Sequence, residues 1–230
     1  MKKDSNNIIK ALAKISQAIT SELYRDDILK LIVTVTAQAL GSKICSLMLL
    51  NEKKELVIKA SQSISEEYLK KPPLKTGEGI AGKVVKEKKP IVVLNISKSK
   101  FYKYKEIAKK EGLVSLLCVP LVVKGKVIGA IDVYTSSPHR FTKKEENVLT
   151  AVANQSAIVI ENTELLVKTK VISEELETRK LVERAKGFLM KKNNLSEDSA
   201  YHMIQKQAMD RRKSMKEIAE AILIMADFEK

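Results

Sequence analysis

At 230 residues the chain is long enough for one or two domains with real cores, and its 42 Lys+Arg against 28 Asp+Glu give a net charge of +14. No apolar run approaches a membrane span, and Met1-Lys2-Lys3-Asp4-Ser5-Asn6-Asn7 leads into a polar-faced helix, so neither a membrane protein nor a secretory leader is expected and the chain is assigned to the cytoplasm. Its two cysteines, Cys45 and Cys118, lie in apolar runs without metal-ligand spacing, which points to buried reduced thiols over a disulfide or a reactive site.

Ile8, Leu12, Ile15 and Ile19 step by four, three and four, the narrow apolar seam of a helix packed on another helix. After a break at Tyr24-Arg25-Asp26, Ile28, Leu31, Ile32, Val35 and Leu40 predict a second helix ended by Gly41. Asp26 and Asp27 fit its start; a phosphoacceptor site would also need an acceptor aspartate and a lysine at later ends of a parallel sheet, which this strand pattern does not supply. β-rich runs follow at Ile44 to Leu50, Leu56 to Ala60, Ile91 to Leu94, Leu116 to Val123 and Lys126 to Tyr134, with Lys124-Gly125 as a hairpin turn between the last two. Helices before, between and after these strands predict an α+β domain with a largely antiparallel sheet.

Within this segment Gly77-Glu78-Gly79-Ile80-Ala81-Gly82 satisfies the spacing G-x-G-x-x-G, but it follows Pro72-Pro73-Leu74-Lys75 in place of a strand and lacks the acidic residue about 20 positions on, so a tight loop leading into a short helix is expected instead of a dinucleotide site. This glycine run with Leu74, the stretch Gly112 to Leu121, Gly129 with Val133-Tyr134, and Phe141 with Gln155 and Glu161-Asn162 resemble a GAF domain, a sensory module related to PAS domains, over residues 25–165. The resemblance implies a GAF/PAS-like antiparallel sheet with flanking helices and a small-molecule or signal pocket whose occupant stays open. The family's cyclic-nucleotide signature is not evident, although Asn95 and Phe101 fall in its neighbourhood. One enzymatic group of the family reduces free methionine sulfoxide with cysteines, and Cys45 and Cys118 do not map onto its pattern. His139 and His202 stand far apart without metal spacing; a loop place is expected for His139 and a helix surface or an RNA contact for His202, so neither a catalytic nor a metal site is expected.

Thr142 and Glu145 have capping-box spacing, and no Pro or Gly occurs from Lys143 to Lys186, which predicts one long helix. About 50 residues would extend roughly 75 Å at 1.5 Å per residue. Val148, Val152, Gln155, Val159, Asn162, Leu166, Thr169 and Leu176 keep near-heptad steps, with Ser173 a weak position, and a buried Asn162 favours two strands in register. A parallel homodimer with a seam of Val159, Asn162, Leu166, Thr169 and Leu176 is expected, against the alternative that Val148 to Val159 pack on their own sheet.

The C-terminal segment reads as three helices. Asn193-Asn194 ends the first, Ser196 caps a second whose first turn holds Glu197 and Asp198, and Ser214 with Glu217 forms a capping box for a third running to about Asp227. Val182, Ala185 and Leu189, then Ala200, Ile204 and Ala208, then Ile218, Ala219 and Ile222 recur at helical spacing and define a small core, in which Met190 and Met209 are also expected. Charge is local: residues 171–230 carry only +1, whereas Leu176 to Lys216 holds 11 basic and 5 acidic residues. That patch, more than the overall +14, suits a polyanion.

Leu176, Arg179, Ala185-Lys186-Gly187, Leu189-Met190, Ala200-Tyr201, Ala208-Met209 and Ile218-Ala219 together resemble an ANTAR domain, a small helical RNA-binding module of bacterial transcription antiterminators. The resemblance implies recognition of paired RNA hairpins that excludes a terminator stem, so that RNA polymerase, affected only indirectly, reads through. Carried onto matching positions, Arg179, Lys186, Gly187, Ala200 and Tyr201 are the expected RNA-binding residues, and local charge adds Lys191, Lys206, Arg211 and Arg212. A glycine inside a good helix costs about 0.8–1 kcal/mol, so Gly187 suggests close approach by another helix or by RNA backbone. The expected division is an N-terminal helix at 1–24, a sensor at 25–165, a coiled-coil linker at 166–175 and the RNA-binding module at 176–230. A sensor-regulated DNA-binding transcription factor and a GAF-type methionine sulfoxide reductase are the alternatives.

Overall fold

A computed structural model describes residues 2–17, 25–62 and 65–228, and the chain divides into two compact units, Met1–Glu164 and Leu165–Lys230. The first unit opens with α1 (Lys2–Gln17) and α2 (Arg25–Leu40), the latter with Asp26 and Asp27 in its first turn, where the helix dipole favours negative charge. Gly41 at φ +59° then stops α2 in the left-handed conformation. Ala11 and Ile15 of α1 are buried in the same core as Ile28, Leu29, Ile32 and Val33 of α2, so the first helix is part of this domain's core. The side chains of Ile8 and Ile19, expected in the same seam, lie outside the described residues.

Six strands follow: β1 (Ile44–Leu50), β2 (Glu55–Ser61), β3 (Leu74–Lys75), β4 (Ile91–Val93), β5 (Ser115–Val123) and β6 (Lys126–Thr135), in the sheet order β3-β2-β1-β6-β5-β4. Every neighbouring pair is antiparallel. All five expected strands are present to within one residue at each end, and β5 and β6 meet at Lys124 and Gly125, both at positive φ, as a two-residue hairpin of this twist requires. Pro120 sits in β5 beyond the pairing of β4, which ends at Cys118, so its missing N–H leaves no ladder bond unmade on that side.

The sheet is covered on both faces. Cys45, Leu47 and Leu49 of β1, Leu117, Val119 and Leu121 of β5, and Ile131 and Val133 of β6 face α1, α2 and Leu149, Val152, Ala153, Ala157, Val159 and Ile160. The alternate residues, Ile44 and Met48, Leu116 and Cys118, Ala130 and Tyr134, face a second core. That core is closed by three short helices the sequence pattern either left out or placed only loosely: α3 (Glu66–Leu69), α4 (Gly79–Glu87) and α5 (Lys105–Lys110).

The long helix is α6 (Lys143–Asn193), opened by the expected Thr142 and Glu145 box, in which the Thr142 amide donates to Glu145 at 2.7 Å. Val159 is corrected here: it is fully buried in the first unit's core and is not free for a dimer seam. In the second unit the last turns of α6 join α7 (Glu197–Arg211) and α8 (Met215–Phe228). All nine predicted core residues are buried together, and the caps form as read: the Ser199 amide donates to Ser196 Oγ at 3.2 Å, the Glu217 amide to Ser214 Oγ at 3.2 Å, and Asn194 adopts φ 52°. Met209 departs from expectation, since it is 73% exposed: the helical stripe through Ala200, Ile204 and Ala208 leaves the next position on the outer face.

Candidate functional site

Two places in the molecule carry chemistry. In the first unit, α3, the segment Lys71 to Leu74, the start of α4 and the residues Tyr102 to Tyr104 close over the second face of the sheet and leave a cavity of about 40 Å³. Strand alternation puts Ser46 of β1 and Asp132 and Tyr134 of β6 on its floor, with Ser46 and Asp132 opposite one another in register. Tyr68 and Tyr102 form walls, each edge-on to Tyr134 at 6.5 and 6.4 Å between ring centroids.

These polar groups mostly satisfy one another. Tyr68 Oη and Ser46 Oγ are 2.6 Å apart, Tyr102 Oη donates to Tyr134 Oη at 3.4 Å, and Tyr134 Oη donates to Asp132 Oδ2 at 3.2 Å. Asp132 is 3% exposed, and its Oδ1 has no hydrogen-bond partner in bonding geometry. The Ser46 hydroxyl and backbone amide both lie close enough to favour the charged carboxylate, but neither reaches Oδ1 in bonding geometry and the hydroxyl is shared with Tyr68 and Ser61. Burial outweighs these effects and pushes the Asp132 carboxyl up to about 7, while the nearby Lys71 ammonium works against that rise. Burial in turn pulls Lys71 down to about 8, opposed by Asp132 and Glu111. Lys71 Nζ rests 3.3 Å from the centroid of the Tyr68 ring. A second lysine at the rim, Lys103, is committed to Glu78 at 2.5 Å.

The glycine run lines this cavity through Gly79, Ile80 and Ala81, and its glycines serve the chain itself. Gly77 and Gly79 have φ of +90° and +65°, and a Cβ on Gly82 would lie 2.4 Å from the Lys75 carbonyl oxygen. Asn95 Oδ1 accepts from Ser97 in a local turn, and Phe101 is exposed beneath the Lys83 ammonium. Cys45 and Cys118 point to opposite faces of the sheet, and burial pushes both thiols well up, which keeps them protonated and unable to pair. His139 is a loop residue bonded to Glu145 at 2.8 Å and His202 is exposed on α7. Among the described residues no cluster of three metal-ligating side chains occurs, and no helix is long and apolar enough to cross a membrane.

None of Ser46, Tyr68, Lys71, Tyr102 and Asp132 was singled out from the sequence. The available signal was Asp132, the one carboxylate inside the otherwise apolar β6. A charged group in a strand buried on both faces needs a reason.

The second place is the three-helix unit. Arg179 and Tyr201, expected as RNA contacts, line one open groove with Val171, Glu174, Glu175, Thr178, Val182, Glu183 and Met215. Lys191, Lys206, Arg211 and Arg212 are exposed. Arg212 caps α7 at φ 52°, and Arg211 Nε donates to Gln207 at 3.0 Å. Two expected contacts turn inward. Ala200 is fully buried, and Lys186 is 7% exposed, its ammonium held by Glu183 and by Glu197 in the first turn of α7 at 2.9 and 2.7 Å. Those two carboxylates hold the Lys186 ammonium above the usual lysine range, so its charge fastens α6 to α7. Gly187 has open space where a Cβ would sit: apart from its chain neighbours and its own helix backbone, no described atom lies within 4 Å, so no described helix makes the close approach that was expected.

A six-stranded antiparallel sheet with a small cavity on one face is followed, along one long helix, by a capped three-helix unit. The chain belongs to the GAF domain family, whose model matches residues 23–161, and an ANTAR domain follows over residues 171–223. Among curated relatives, the transcriptional regulatory protein PdtaR of Mycobacterium tuberculosis is 34% identical over 154 residues, 66% of this chain. The chain spans 63% of that relative's length and less of the other relatives. Among solved structures, the GAF domain of a phosphoenolpyruvate-protein phosphotransferase from Coxiella burnetii superposes with a TM-score of 0.63 and 26% identity, over 70% of this chain and 97% of that one. The free methionine-R-sulfoxide reductase of Neisseria meningitidis, solved with its substrate, has a TM-score of 0.59 at 19% identity over 69% of this chain and 91% of that one, a likeness of fold alone.

Proposed function

We propose that this chain is a signal-responsive transcription antitermination regulator: the GAF unit receives a signal, and the three-helix unit binds paired RNA hairpins in a leader transcript and excludes an overlapping terminator. The observation that carries this reading is the ANTAR match over residues 171–223 behind a sensor fold. It is supported by the exposed Arg179, Lys191, Lys206, Arg211 and Arg212 and by Tyr201, an aromatic ring 43% exposed and thus available to stack on a loop base. Lys186 and Ala200 act in this reading by setting the angle of α7 on α6, and Gly187 by leaving α6 open to a close approach from outside.

We further infer a parallel homodimer through α6. Within the second unit Leu165, Thr169, Ile172 and Leu176 step by four, three and four, and the three apolar members are 47%, 63% and 53% exposed. This stripe is more apolar than the alternative through Leu166, Thr169 and Ser173. Signal transfer then requires that the ligand bind two states of the dimer unequally.

The test is direct binding of the full chain to a leader with two adjacent small hairpins overlapping a terminator, with read-through transcription on the same template. Salt-dependent affinity for that RNA above duplex DNA, with increased read-through, is expected. Tighter binding to duplex DNA would instead favour a DNA-binding factor.

A further inference from the structure

The cavity of the first unit already holds a cation, and it belongs to the protein. Lys71 Nζ lies 3.3 Å over the Tyr68 ring and 5.8 Å from that of Tyr104, a position set by attraction to the aromatic face. Below it are two more ring walls, Tyr102 and Tyr134, and Asp132 with one oxygen unpartnered. Among the described residues lining the cavity, Asp132 is the single carboxylate, and the only other cation, Lys103, is neutralised by Glu78. An anion placed here would face a buried carboxylate oxygen that already lacks a donor; an N–H donor would satisfy it.

From this geometry we infer that the cavity is a receptor for a small organic cation, a primary or methylated alkylammonium, and that Lys71 is a built-in occupant which the ligand displaces. The segment carrying Lys71 is suited to move. It follows the four-residue α3, runs through the exposed Pro72 and Pro73 into β3 at the edge of the sheet, and is held over the cavity by the Tyr104 hydroxyl donating to the Pro72 carbonyl at 2.8 Å. The present space of about 40 Å³ admits a few waters. With the lysine withdrawn, it gains the volume of a short alkylammonium. The inference gives the sensor in the regulator reading its ligand class, and it is tested without RNA, so that its failure and the failure of RNA binding are separate results.

The experiment removes the occupant and supplies it from solution. In the full chain carrying Lys71→Ala, n-propylammonium replaces the atoms that the substitution deletes. It is expected to bind by calorimetry and to raise the thermal midpoint, at least about tenfold more tightly than to the unsubstituted chain, where the tethered ammonium competes at high effective concentration. Propionate and 1-propanol are expected to do neither, and Asp132→Asn added to Lys71→Ala is expected to abolish the effect while circular dichroism stays native. Equal binding of propionate or propanol, or full retention of the cation response without Asp132, would overturn the inference. Should Lys71→Ala not fold, the unsubstituted chain is titrated with n-propylammonium and trimethylammonium, each of which keeps an N–H donor. It contains no Trp, and four of its six Tyr line the cavity, so tyrosine emission reports occupancy directly. Saturable change with the cations and none with propionate supports the inference; no change at any concentration short of denaturation rejects it.

Discussion

The two units treat charge in opposite ways. The first draws a carboxylate, an ammonium and four phenols, three of them buried, around one cavity, and leaves its many other lysines as a solvated surface. The second buries an apolar core of nine residues and turns its basic residues outward, Lys186 excepted. A small ligand is recognised by a few desolvated groups, where each contact is strong because water is absent. A nucleic acid is recognised by many hydrated charges whose sum is sensitive to salt. The first unit thus gathers desolvated polar groups around one small cavity, and the second presents hydrated charges on its surface.

The comparison breaks most sharply at Gly129, in the central β1–β6 pair. A Cβ there would lie 2.1 Å from the Met48 carbonyl oxygen and 3.1 Å from Leu49 Cα, both backbone atoms that cannot yield without opening the sheet. Gly129→Ala is expected to destabilise the first unit by about 3 kcal/mol or more. Urea unfolding should show the tyrosine transition lost or shifted far down while a helical transition from the second unit persists. A single unshifted transition would contradict both the clash and the independence of the two cores.

The α6 stripe gives the next effect. Ile172→Glu places a charge where two copies would meet, and light scattering is expected to show a monomer at concentrations where the parent chain is a dimer. Concentration-independent monomers of the parent chain would remove the dimer from the proposed mechanism. Smaller again is the contrast between an outward and an inward cation. Arg179→Ala is expected to flatten the dependence of log affinity for RNA on log salt by about 0.7–0.9, the share of one phosphate contact. Lys186→Met is expected to leave that slope unchanged, because its ammonium is already neutralised by Glu183 and Glu197. Equal losses of slope would mean that Lys186 reaches the RNA after all.

The same contrast decides what the sequence revealed. Strands, caps and the three-helix core were legible because burial and periodicity coincide there: Ile204 or Leu117 has one environment at every level of description. Met209 and Val159 were misplaced because spacing identifies a helical stripe without saying which neighbouring surface takes it. Lys186 was misread because a lysine in a basic patch is indistinguishable, from composition, from one locked between two carboxylates. The cavity was illegible for a further reason. Ser46, Tyr68, Lys71, Tyr102 and Asp132 come from four separate segments: strand pairing joins Ser46 to Asp132, and the segments folded over that face of the sheet bring the rest.

The buried pair at that cavity offers the finest test, because it makes stability depend on pH with a sign opposite to that of the protein's exposed acids. Glu145, Glu197 and Glu217 are held below the usual carboxylate range by their donors, so their contribution is present above that range and is lost as pH falls. Asp132 is pushed up to about 7, so between the ordinary carboxylate range and neutrality the folded state binds the extra proton, and stability falls as pH rises. The groups near it remain in one charge state through this window: burial keeps Tyr68, Tyr102, Tyr134, Cys118 and, on the other face of the sheet, Cys45 neutral, and Lys71, drawn down only to about 8, stays charged until its upper edge. The difference in urea stability between Asp132→Asn and the parent chain isolates this one group. That difference is expected to move in favour of the Asn variant from pH 5 to pH 7, by roughly 2 kcal/mol, the order that two pH units below a folded-state value near 7 represent at about 1.4 kcal/mol per unit. Parallel curves would show that the Asp132 carboxyl is already ionised at pH 5, with Lys71 and Ser46 outweighing the cost of its burial.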